Sequence, residues 1–171
     1  MIEFSLRSGK TTAMNPSPSS AAPGRVFSVV GDRYHFLVTG EESGGAFAMM
    51  EFLVPPQHGP PPHVHHREDE VFYVLDGEFT FTVAGQIIRA TTGQTLYGRR
   101  DVPHTFKNTG DQAGRMLVVV APAGLEKFFA EIGTPLGSPQ AAPVEPTPAD
   151  IQRLLAAAPR YGLEILDSAK P

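Results

Sequence analysis

From Val26 onward, apolar residues come in short bursts separated by Gly, Asp and Asn. Bursts at 26–30, 34–39, 46–54, 71–75, 79–83, 86–90, 105–107 and 116–121 predict β-strands. The clearest is Glu78-Phe79-Thr80-Phe81-Thr82-Val83, where polar and apolar residues alternate and one face carries Phe79, Phe81 and Val83. A period of two belongs to a strand with one buried face, not to a helix. Asp76-Gly77 and Ala84-Gly85 sit between bursts as tight turns. Helix is predicted only late in the chain, over 124–132 and after Thr147. There, Thr147 offers an N-cap, Pro148 a first helical residue and Asp150 an acid in the first turn. Ile151, Leu154, Leu155 and Ala158 would form its apolar face. The expected architecture is all-β, a sandwich or barrel followed by C-terminal helices. Residues 1–24, rich in Pro, Ser and Ala, read as a flexible arm. Residues 25–122 read as the barrel, and 123–171 as a helical extension packed on it.

Composition supports a turn-rich fold. The 171 residues include 17 Gly and 17 Pro, against averages of about 7% and 5%. Such residues disfavour a helical bundle, while a hydrophobic share of 41% still supplies a core. The net charge of −4 gives no basic footprint for nucleic acid. Cysteine is absent, which excludes a disulfide framework, a zinc ribbon and a thiol nucleophile. A metal would have to be held by His and carboxylate. No apolar run approaches the roughly 20 residues of a membrane helix, and residues 1–10 lack the apolar centre of a signal peptide. The expectation is a cytoplasmic protein with neither membrane nor nucleic-acid partner.

The segment richest in chemistry is Gly59-Pro60-Pro61-Pro62-His63-Val64-His65-His66-Arg67-Glu68-Asp69-Glu70. In an extended chain, His63 and His65 point to the same side and His66 to the other. Glu70 opens an apolar run, where a carboxylate needs a partner. His104 lies far along the chain, in the β-type stretch Val102-Pro103-His104-Thr105-Phe106. Three imidazoles and a carboxylate suit a divalent transition metal and leave coordination positions free. His66 and His58 read as surface residues and His35 as a packed or interface residue. Glu68 and Asp69 read as a solvated loop or, alternatively, as acceptors of an imidazole N–H beside the site. Arg99 and Arg100 read as an anion contact, a rim or a dimer contact. By parity, Phe72 and Val74 share a face with Glu70, and Phe106 shares one with His104. Together with Met50, Phe52 and Phe81 they either line a pocket above the metal or simply pack the barrel.

These spacings resemble the cupin superfamily. His63, His65, Glu70 and Gly77 fall in register on its first motif, and Gly93, His104 and Asn108 on its second. The leading glycine of the first motif is displaced: Gln57 stands at its place, with Gly59 two residues later. Arg99 and Asp101 replace a Pro and a Gly of the second motif. The phrase from Pro61 to Gly77, and the ending Arg160-Tyr161-Gly162-Leu163-Glu164-Ile165-Leu166, are similar to small quercetin 2,3-dioxygenase-like cupins. The resemblance implies a double-stranded β-helix (jelly-roll barrel) and a homodimer. It also implies one ion of iron, manganese, nickel, cobalt, copper or zinc on His63, His65, Glu70 and His104. The implied activity is a dioxygenase that takes dioxygen and a flavonol-like or other enolisable aromatic substrate, with Glu70 as the catalytic base. A true quercetinase would cleave the heterocycle and release carbon monoxide. The same residues also admit a non-catalytic small-ligand-binding or sensing cupin, a cupin isomerase or cyclase, and a structural metal barrel.

Overall fold

A computed structural model describes residues 25–166; the expected N-terminal arm lies outside them. Ten strands build the body of the fold in chain order: β1 (Val26–Val29), β2 (Asp32–Val38), β3 (Ala48–Val54), β4 (His63–His65), β5 (Asp69–Asp76), β6 (Glu78–Val83), β7 (Gln86–Thr91), β8 (Thr95–Gly98), β9 (His104–Asn108) and β10 (Gly114–Ala121). Helix α1 (Leu125–Ile132), strand β11 (Thr134–Pro135), helix α2 (Pro148–Ala157) and strand β12 (Leu163–Ile165) follow. The strands form two antiparallel sheets, ordered β11-β1-β2-β3-β10-β5-β8 and β12-β4-β9-β6-β7, packed as a jelly-roll barrel. No described helix is long and apolar enough to cross a membrane.

Alternation sets the core. Ala48, Met50, Phe52 and Val54 of β3, and Met116, Val118 and Val120 of β10, point inward and are buried. Phe79 and Phe81 meet them from the other sheet. The predicted turn at Ala84-Gly85 is real: both residues take positive φ, 48° and 79°, and close the β6–β7 hairpin. Val30 and Gly31 do the same between β1 and β2, with φ of 49° and 88°. A β-branched residue seldom adopts that conformation. Gly59 lets the loop before β4 press onto β9, because a Cβ there would collide with the Phe106 carbonyl oxygen.

The C-terminal elements differ in part from expectation. Helix α2 starts as predicted: the Thr147 side chain accepts from the Asp150 amide, and Asp150 answers on Thr147. Its buried residues are Leu154 and Ala157, while Ile151 and Leu155 are exposed. Strands β4, β8, β11 and β12 have no counterpart among the predicted bursts. Each is short, and β12 gains its geometry from a partner strand and not from its own pattern. It pairs with β4, setting Leu163 against His65 and Ile165 against His63. The end of the described chain therefore braces the strand that carries two of the singled-out histidines.

Candidate metal centre

His63 and His65 project from β4 to one side, as a period of two requires. Pairing of β4 with β9 sets His63 opposite His104. Glu70 comes from β5 in the other sheet. The cluster thus ties the two sheets together at one end of the barrel. Among the described residues, these four each offer a ligand atom, all within 4.8 Å of one another, and all four residues are buried.

The hydrogen bonds fix which nitrogen faces inward. His63 Nδ1 lies 2.8 Å from the Pro61 carbonyl oxygen, and His104 Nδ1 lies 2.9 Å from that of Val102. A carbonyl only accepts, so Nδ1 carries a proton in both rings and Nε2 is the nitrogen that faces inward. His104 Nε2 then meets Glu70 Oε2 at 3.0 Å, and His65 Nε2 meets the same oxygen at 3.3 Å. An imidazole nitrogen facing a carboxylate oxygen at this distance needs a cation between them, either a proton or a metal. Burial and the charges of His65 and His104 push His63 down to about 3. Burial also works against a charge on His65, but Glu70 and Glu68 outweigh it and push that ring up to about 9. Burial opposes the charge on Glu70 as well, yet His65 and His104 hold its carboxyl well below the usual carboxylate range. The donor set fits a divalent transition metal: three imidazole nitrogens and one carboxylate, dry and convergent.

Glu68 departs from the solvated-loop reading and lies beside an imidazole. It is 3% exposed rather than solvated, and its Oε2 lies 3.8 Å from His65 Nδ1. Neither atom has a hydrogen-bond partner among the described residues. Asp69 is a surface residue, as its position suggested, and forms a two-pronged pair with Arg100. His66 faces away from the cluster, between Asp101 and Glu164.

A narrow cavity of about 50 Å³ reaches His63, His65 and Glu70. Of the six expected pocket residues, Phe52, Phe72 and Phe106 line it. Met50, Val74 and Phe81 do not. They are fully buried in the core, because parity fixes the face of a strand but not the depth along the barrel. Sequence reasoning missed Asp32, Tyr34, Phe128, Phe129, Leu154 and Leu163, which complete the walls. Tyr34 stacks on Phe52 with ring centroids 3.6 Å apart. Burial, then the charges of Asp32 and Glu70, push its hydroxyl well above the usual value.

Known proteins share this architecture. The family model described as a cupin domain matches residues 50–120. A quercetin 2,3-dioxygenase of Bacillus subtilis is 28% identical over 138 residues, covering 75% of this chain and 40% of its own length. A quercetin 2,3-dioxygenase of Aspergillus japonicus is 35% identical over 108 residues, covering 59% of this chain and 31% of its own length. The chain thus spans less than half the length of either enzyme. The solved structure of a predicted oxalate decarboxylase from Thermotoga maritima superposes with a TM-score of 0.51 at 26% identity, covering 64% of this chain and 99% of that one. The family match over residues 50–120, the jelly-roll barrel and the four-residue cluster agree: the chain has the cupin fold and is similar to quercetin 2,3-dioxygenases.

Proposed function

We propose that this chain is a metal-dependent dioxygenase acting on an enolisable aromatic small molecule. The convergence of three imidazoles and Glu70 at an apolar cavity carries the reading, and the likeness to two quercetin 2,3-dioxygenases supports it. His63, His65, Glu70 and His104 would hold one divalent transition metal. When bound, it supplies Lewis acidity that makes a substrate hydroxyl easier to deprotonate and an open position for a reactant. Glu70 Oε2, which touches two of the three imidazoles, is placed to accept the hydroxyl proton and later return it. Phe52, Phe72 and Phe106 press on the ring and exclude water. The Pro61 and Val102 carbonyls keep His63 and His104 in one tautomer throughout.

Cavity size narrows the substrate. Pockets for drug-sized ligands run to about 300–1,000 Å³, far above the volume here. One aromatic ring already needs a cavity of about 150 Å³, so any aromatic ligand enters only if the wall formed by Leu154, Leu163 and Ile165 moves, and a single-ring substrate needs the smaller movement. Two carboxylates on the wall, Asp32 and Glu70, and an otherwise apolar lining disfavour a dianion such as oxalate. A homodimer belongs to the same reading. Val71, Tyr73 and Tyr97 are exposed side by side on the outer face of the larger sheet. Sedimentation of an 18.4 kDa species would refute that part.

Oxygen uptake tests the activity. Protein reconstituted with each candidate metal is assayed against flavonols, catechols and diketones. The expected result is one dioxygen consumed per substrate, only in the metal-loaded form. Ligand binding without turnover would favour a sensing cupin, and turnover without oxygen uptake an isomerase or cyclase.

A further inference from the structure

The side chains lining the cavity are apolar except at three places: the histidine and Glu70 cluster, the Tyr34 hydroxyl, and Asp32. Strand register separates them. Tyr34, Phe52, Met116 and Val74 lie on one row across β2, β3, β10 and β5. Glu70 stands to one side of that row along β5, and Asp32 to the other side along β2. Asp32 is 3% exposed, and its Oδ1 has no hydrogen-bond partner among the described residues. The nearest cationic group is His58 Nδ1, 3.8 Å from Oδ1, beyond hydrogen-bond reach. The Val30-Gly31 turn sets the Asp32 backbone opposite Val29, with the side chain on the buried face of β2. A buried carboxylate with no partner is costly and calls for an explanation.

We propose that Asp32 is a ligand-recognition residue, which accepts a hydrogen bond from a hydroxyl or ammonium group on the end of the aromatic ligand remote from the His63–His65–Glu70–His104 cluster. The orientation of that ligand rests on the function proposed above; the recognition by Asp32 does not. Apolar walls accept the ring, and the distal donor supplies the partner that Asp32 lacks. An analogue without the donor leaves a buried acid unpaired, which is how a site built around a polar group rejects the wrong ligand.

Calorimetric titration with three catechols that differ only at carbon 4 tests this. The probes are 4-methylcatechol, 4-(hydroxymethyl)catechol and 4-(aminomethyl)catechol, added to zinc-loaded and to metal-free protein. Wild type binds both donor-bearing probes at least about tenfold more tightly than the methyl probe, in either form. Asp32→Leu removes that preference. Asp32→Asn, which keeps the shape, removes the ammonium preference and serves if the Leu variant fails to fold. Three affinities within twofold in wild type, no binding of any probe, or a preference that survives both substitutions overturns the proposal. A preference that stands while zinc adds no affinity supports Asp32 and refutes the metal reading instead.

Discussion

Replacing Glu68 perturbs a ligand without touching it. His63 and His104 are anchored through backbone carbonyls of Pro61 and Val102, which no substitution removes. His65 alone is faced at Nδ1 by a side chain, Glu68, with both residues buried. Its separation of 3.8 Å is a charge contact that tightens to a hydrogen bond only if one partner moves by roughly 0.9 Å. Partners of this kind orient a metal-binding imidazole, and their loss costs about 10–100-fold in metal affinity, or about 1.4–2.8 kcal/mol. Glu68→Gln keeps an oxygen but not the charge, so its effect belongs near the lower figure. Glu68→Leu belongs near the upper one. Competition of cobalt(II) against a chromophoric chelator reads the affinity, and circular dichroism checks that each variant folds. Asp69→Asn is the control, since Asp69 faces Arg100 at the surface and should stay within twofold of wild type. Glu68 variants that also stay within twofold, or an Asp69 variant that falls as far, would refute the positioning role.

Other outcomes follow from the same geometry. Burial raises the Asp32 carboxyl well above its ordinary value, so its stabilising contribution is complete below the unfolded pKa and is lost as pH rises through the folded one. Asp32→Asn, always neutral, should therefore gain on wild type in urea denaturation between pH 4 and pH 8; a constant difference contradicts this. Asn108 is fully buried, donates to the Val54 and Gln112 carbonyls and accepts from the Gly110 amide. Asn108→Ala should cost about 3 kcal/mol in denaturation, since a fully buried side chain loses three hydrogen bonds; a loss under about 1 kcal/mol would show that water replaces them. Metal uptake should weaken as pH falls below about 6, because imidazole ligands must be neutral. A profile that is flat from pH 5 to 8 would place the metal elsewhere.

Much of the cluster was legible because local periodicity encodes it. His63 and His65 sit two apart, and Glu70 is an acid opening an apolar run, so both features stand out in the residue order itself. Glu68 was only half legible: a role beside an imidazole could be named, but between Arg67 and Asp69 it has the composition of a solvated loop, and nothing local tells which of the two acids turns inward. Asp32 follows Gly31 and looks like turn punctuation, yet the hairpin turns it inward. Met50, Val74 and Phe81 show the limit of parity, which assigns a face but not a depth. The walls supplied by Phe128, Phe129, Leu154 and Leu163 depend on the chain returning across the barrel, a long-range event with no local signature. Helix α2 started where its capping box placed it, but its buried stripe is narrower than the apolar one.

His63, His65, Glu70 and His104 are expected to hold one metal ion. Elemental analysis of protein purified without an affinity tag or chelator tests it most directly, with wild type beside His104→Ala. Close to one transition-metal ion per wild-type chain is expected, with a sharp loss in the still-folded variant. A folded variant that retains the wild-type stoichiometry, or a wild type that binds no transition metal even after reconstitution, would contradict it.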